Sequence, residues 1–209
     1  MSEELHPLEA ITSLYLVRHG HTQATELGLL YSDPKIEITE KGRVQAQAAA
    51  QYVAALKPEI LVCGQATRVR QSSQPLEELT GLQAQTVKGF EEWQVGDWEG
   101  RTYLDIKKND PEQYHSWCTD PIKNAPPNGE SIVELSQRIK ESLGELLNGQ
   151  MSGKTIAMVT HSGIIRSIIV HALEMPVQNF WRLSIPTGSV TRIDFSNNFA
   201  TLHFMALRP

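Results

Sequence analysis

Three short apolar runs constrain this chain more than any other feature. Leu14-Tyr15-Leu16-Val17 stops at Arg18-His19-Gly20. Ile60-Leu61-Val62 stops at Cys63-Gly64, and Ile156-Ala157-Met158-Val159 stops at Thr160-His161-Ser162-Gly163. Brief apolar runs closed off by small or polar residues are what strands covered on both faces look like. Helical stretches lie between them. Thr39 to Leu56 offers Thr39 as N-cap and an alanine-rich body, and Thr67 to Leu79 follows the second run, with Pro75 a potential kink. Ser131-x-x-Glu134 is a capping box leading into Ile132, Leu135, Ile139, Leu143 and Leu146 at helical spacing, and Ile164 to Leu173 is apolar on most sides. Val190 to Phe195 and Thr201 to Met205, joined through Ser196-Asn197-Asn198, would close the sheet. Strands alternating with helices predict an α/β three-layer sandwich, with a mostly parallel central sheet and helices on both faces. The 209 residues suit one domain, 1–209. Phe90 to Gly129 is irregular and holds Trp93, Trp98 and Trp117, so a cap-like segment is expected at about 90–130.

In sheets of this kind ligands bind beyond the carboxyl ends of the strands. The strand ends should therefore bring Arg18, His19, Arg68 and His161 into one pocket. Two guanidinium forks match the oxygens of a phosphoryl group. A neutral imidazole is a nucleophile toward phosphorus if its other nitrogen is held, and a second imidazole, when protonated, stabilises the transferring group. A proton donor is also needed. In Phe90-Glu91-Glu92-Trp93 either carboxyl is a candidate, because aromatic surroundings raise a carboxyl pKa. His6, His115, His171 and His203 carry no such context, and Arg70, two residues past Arg68, points elsewhere on a helix.

The formal net charge of −5 argues against non-specific nucleic-acid binding. Two cysteines make neither a disulfide framework nor a cysteine zinc site. No apolar run spans a membrane, and Met1 to Pro7 has no signal-peptide core, so the cytoplasm is the expected compartment. No metal or cofactor is expected. The oligomeric state stays open between monomer and homodimer. His19-x-His21 would suit an amidohydrolase metal pair only in a barrel of ~250 residues. Thr160-His161-Ser162 fails as a hydrolase elbow, and no nucleotide P-loop is present.

Leu16-Val17-Arg18-His19-Gly20-His21-Thr22 resembles the signature of the histidine phosphatase (phosphoglycerate-mutase-like) superfamily. So do Arg68 with Gln71, Glu92 with Gly96-Asp97-Trp98-Glu99-Gly100, Pro127 to Ser131, and Val159 to Gly163, all in family order. The resemblance implies His19 as a nucleophile that becomes phosphohistidine, and Glu92 as proton donor and later base. It implies Arg18, Arg68, His161 and the Gly163 amide as phosphoryl ligands. Thr25 stands where many members have a phosphate-binding Asn, His21 where many have Glu, and Cys63-Gly64 where small serines are usual. The implied activity is metal-independent hydrolysis of a small phosphorylated metabolite. Asp110 to Cys118 and Phe199 to Leu202 resemble the α-ribazole phosphatase branch of cobalamin assembly. The alternatives are a mutase or sugar bisphosphatase of the same superfamily, and a non-catalytic phosphoryl-binding protein on the same fold.

Overall fold

The structure is a computed structural model describing residues 11–149, 151–196 and 199–209. The readings of the N-terminus and of the Asn197-Asn198 joint fall outside the described residues. Strand β1 (Thr12–Arg18) leads to a short helix α1 (Gln23–Glu26) and then α2 (Glu40–Ala55), whose first turn is capped by the Thr39 hydroxyl. Next come β2 (Ile60–Cys63), α3 (Thr67–Thr80) and the two-residue β3 (Gln85–Thr86). Helix α3 runs through Pro75 and ends at Gly81 in the left-handed region. The expected irregular stretch carries helices α4 (Tyr103–Asn109) and α5 (Pro111–Thr119). Helix α6 (Ile132–Asn148) starts on the Ser131–Glu134 capping box, with both reciprocal bonds made. Then follow β4 (Thr155–Thr160), α7 (Ser162–Ala172), β5 (Val190–Ser196) and β6 (Phe199–Leu207).

The sheet order is β3-β2-β4-β1-β5-β6. β3, β2, β4 and β1 pair in parallel, and β5 pairs antiparallel with both β1 and β6. Alternation along β1 divides the core between two layers. Leu14 and Leu16 pack with Ile139 and Leu143 of α6 and Ile165 and Ile168 of α7. Tyr15 and Val17 pack with Ala49, Ala50 and Val53 of α2 and Val69 and Leu76 of α3. The alanines of α2 are what let that helix lie close to the sheet.

Helix α7 begins at Ser162, two residues before the first residue the apolar pattern marks. His161 keeps extended backbone as its N-cap, which places Ser162 and Gly163 in the first helical turn. That shift matters, because amides of a first turn have no partner inside the helix.

Candidate active site

β2, β4 and β1 are neighbours in the sheet, so the residues after their carboxyl ends converge. The His19 amide donates to the Thr160 carbonyl at the end of β4 (2.9 Å). The Gly20 amide donates to Ser72 Oγ (2.9 Å), whose hydroxyl donates to the Arg68 carbonyl (2.6 Å), linking this turn to α3. Gly20 has no substitute here, since a Cβ on it would lie 2.3 Å from the Gly42 carbonyl oxygen of α2.

His19 is fully buried, with Nδ1 2.8 Å from the Gly20 carbonyl oxygen. A carbonyl only accepts, so Nδ1 holds the proton and Nε2 the lone pair. Nε2 has no hydrogen-bond partner and no solvent contact. The His161 ring centroid lies 5.5 Å from that of His19, and His161 Nδ1, also unpartnered, is 3.8 Å from Glu92 Oε2. Glu92 Oε1 accepts the Trp93 amide (3.0 Å). This separates the two candidate carboxyls. Glu91 is exposed and faces Arg138 at 3.8 Å, whereas Glu92 is turned inward.

Arg18 gives one terminal nitrogen to the Ile185 carbonyl (2.5 Å), and its Nε is unpartnered. Arg68 gives one to the Asp33 carbonyl (2.6 Å) and lies 4.9 Å over the Tyr31 ring, with Nε and its other terminal nitrogen unpartnered. Asp33 is itself pinned, because the Glu99 carboxylate accepts the amides of Ser32 and Asp33 and the Ser32 hydroxyl. Buried guanidinium nitrogens without acceptors are costly unless an anion completes them. The Gly163 amide, in the first turn of α7, adds a further donor. A Cβ on Gly163 would come 2.6 Å from Glu92 Oε1.

Burial, then the charges of Arg18 and Arg68, hold the His19 pKa well below its ordinary value. Burial, then His19 and the same arginines, do so for His161. Both imidazoles are therefore neutral before a phosphoryl group binds, His161 even with the Glu92 carboxyl 3.8 Å away. A phosphoryl dianion between them would reverse that field. Burial pushes the Glu92 carboxyl up, outweighing the Trp93 amide and the arginines.

Thr25 Oγ1 bonds the hydroxyls of Thr22 and Tyr31 (both 2.9 Å) and lines a cavity with Arg18 and Glu92. His21 Nδ1 bonds Thr39 Oγ1 (2.9 Å) at the start of α2 and lines neither cavity beside Glu92. One atom each of His19, Glu92 and His161 lie within 4.8 Å of one another, close enough to share a metal ion. The two guanidiniums beside them favour an anion instead. Glu92 lines both a cavity of about 240 Å³ and one of about 710 Å³. Among the described residues no helix is long and apolar enough to cross a membrane.

Sequence reasoning missed Tyr31 and Arg166. Tyr31 meets the His19 ring edge-on at 6.3 Å and carries Arg68 on its face. No short-range pattern marks it, because it sits on a loop. Arg166 lies four residues past Ser162, one helical turn on, so a signal was there.

The model of the histidine phosphatase superfamily (branch 1) matches residues 14–207. An adenosylcobalamin/alpha-ribazole phosphatase of Escherichia coli (strain K12) is 29% identical over 195 residues, 93% of this chain and 96% of that protein. A glucosyl-3-phosphoglycerate phosphatase of Mycobacterium tuberculosis (strain CDC 1551 / Oshkosh) is 28% identical over 194 residues, 90% of this chain and 86% of that protein. The crystal structure of the alpha-ribazole phosphatase from Shigella flexneri superposes with a TM-score of 0.85 at 28% identity, covering 94% of this chain and 96% of that one. With its motifs at adjoining strand ends and the family match running over nearly its whole length, the chain belongs to the histidine phosphatase superfamily, branch 1, and is a phosphatase of that family.

Proposed function

We propose that this phosphatase hydrolyses a small phosphomonoester in two steps through phosphohistidine, without a metal or cofactor. The observation that carries the reading is the fixed tautomer of His19. Its Nε2 lone pair is free, His19 lies in the field of the incompletely bonded Arg18 and Arg68, and a ring nitrogen of His19 is within 4.8 Å of a Glu92 oxygen. In the first step Nε2 bonds to phosphorus and the ester P–O bond breaks. The departing oxygen takes the proton of Glu92, whose raised pKa suits a general acid. Arg18, Arg68, His161 and the Gly163 amide hold the phosphoryl oxygens, and Thr25 lies at the edge of that set. In the second step water gives a proton to the Glu92 carboxylate and attacks phosphorus. The P–N bond breaks, freeing phosphate and His19. Because Nε2 is sealed from solvent, neighbouring side chains must part slightly to admit the phosphoryl group.

The segment at about 90–130 acts as a cap on this one domain. Two free cysteines fit a cytoplasmic setting. The similarity to α-ribazole phosphatases gives α-ribazole 5′-phosphate a place in the substrate panel, beside the varied phosphomonoesters of the other relatives. Rapid-quench mass spectrometry should find acid-labile phosphate on His19, and His19→Ala should lose essentially all turnover. Near-normal rates in His19→Ala on any good substrate would end the proposal.

A further inference from the structure

Arg166 has no part in the chemistry above, yet it faces the same chamber. On α7 its Nε donates to the Leu183 carbonyl (2.8 Å), and its guanidinium carbon lies 5.4 Å from the Phe180 ring centre and 5.7 Å from that of Trp181. Among the described residues its side chain makes no other hydrogen bond. The guanidinium is thus anchored through Nε beside two edge-to-face rings, and its terminal nitrogens take no hydrogen-bond acceptor among the described residues. Arg166, Arg18, Tyr103, Trp93 and Trp181 line the cavity of about 240 Å³. Arg68 and His161 line the larger cavity on the other side of Glu92, together with the acidic Asp33 and Glu99, and Arg166 is absent from it. One opening is therefore aromatic and doubly cationic, and the other carries acidic groups beside its arginine. Burial, and then repulsion from Arg18, disfavours the Arg166 charge, a cost that an anion in the chamber would offset.

We propose that Arg166 is a specificity-determining residue that reads the leaving group. The chamber selects phosphomonoesters whose departing part is one compact apolar ring ending in a carboxylate or comparable acceptor. The ring lies against Tyr103 and Trp181, and the acceptor takes the terminal nitrogens of Arg166. The size fits this class, because 240 Å³ is below the ~300–1,000 Å³ of sites for drug-sized ligands. The assignment rests on the phosphatase reading above, and its test separates the two.

The probes are phenyl phosphate and 4-carboxyphenyl phosphate, which differ only in the carboxylate. Hydrolysis is measured in the wild-type protein, Arg166→Met and Arg166→Lys. Binding is followed by tryptophan fluorescence from Trp93 and Trp181 in the His19→Ala background. Hydrogen bonds to a charged group are worth ~1.5–3 kcal/mol, so Arg166→Met should cost the carboxylated ester ~10- to 100-fold more in kcat/KM than phenyl phosphate. The loss should sit in KM, with the same ratio in Kd. Arg166→Lys, which keeps the charge but not the fork, should recover part of it. Equal losses on both esters, as a merely structural arginine would give, or no loss on either, would overturn the assignment while leaving the hydrolysis reading intact. If the wild-type protein releases phosphate from neither ester, the hydrolysis reading fails and Arg166 is judged on Kd alone. Binding of neither ester would sink both.

Discussion

Glu92→Gln tests the proposed chemistry most sharply, because the structure separates its acid role from any role in packing. A glutamine keeps the length of the side chain, and its carbonyl can still accept the Trp93 amide that Oε1 now accepts at 3.0 Å. What it loses is the transferable proton. General acid help is typically worth ~10²- to 10⁴-fold, which is ~2.7–5.4 kcal/mol at 1.36 kcal/mol per decade. That full loss should fall on an alkyl ester such as ribose 5-phosphate, whose leaving oxygen is a strong base. With p-nitrophenyl phosphate, phosphorylation of His19 should suffer far less. Dephosphorylation still needs Glu92 as base, so the variant should show a burst of p-nitrophenol and accumulate phosphohistidine. The pH profile adds a sign. Burial raises the Glu92 pKa in the folded protein, so alkyl ester hydrolysis should fall as pH rises through that raised value. The same raised pKa means that folding favours the protonated form, a contribution fully present below the ordinary carboxyl value and lost as pH rises through the folded one. Glutamine has no proton to lose, so Glu92→Gln should be at least as stable as wild type at neutral pH while being far less active. Stopped-flow absorbance, pH-rate profiles and thermal melts cover these outcomes. Equal losses on both ester classes with no burst would refute Glu92 as the acid. A dead Glu91→Gln beside an active Glu92→Gln would show that the wrong carboxyl had been chosen.

Gly163→Ala places a methyl 2.6 Å from Glu92 Oε1, so it should cut kcat at least tenfold by displacing the carboxylate, with the thermal midpoint barely moved. Steady-state kinetics alongside a melt measure both. Activity should survive EDTA and be inhibited by vanadate, and a loss in chelator restored by Mg²⁺ or Zn²⁺ would refute the metal-independent mechanism. His19 and His161 have depressed pKa values, so the stability they contribute is present above the ordinary histidine value of 6.5 and lost as pH falls through their folded values. Denaturant titrations from pH 7 downward should therefore lose less stability in His161→Gln than in the wild-type protein.

Local pattern in the sequence located β1, β2, β4, β5 and β6 and the helices α2, α3, α6 and α7, but not the short α1 and β3 or the two helices α4 and α5 inside the stretch read as irregular. The apolar runs before Arg18, Cys63 and Thr160 could be buried only in a covered sheet, and the Ser131–Glu134 box carries its own capping bonds. Because strand ends gather ligands, Arg18, His19, Arg68 and His161 could be grouped in advance. Tertiary structure decided what depends on direction and on neighbours distant in sequence. It turned the Glu92 carboxyl, which the resemblance had already singled out, toward His161 and left Glu91 beside Arg138. It turned His21 toward Thr39, brought Tyr31 from a loop against His19 and Arg68, and aimed Arg166 into the chamber with Arg18. It also keeps the second imidazole neutral, through burial first and then the charges of His19 and the arginines beside it. Composition and spacing report which groups a chain owns and how often they recur. Which group faces which, at what distance and in how little water, is fixed only when the strands are laid side by side.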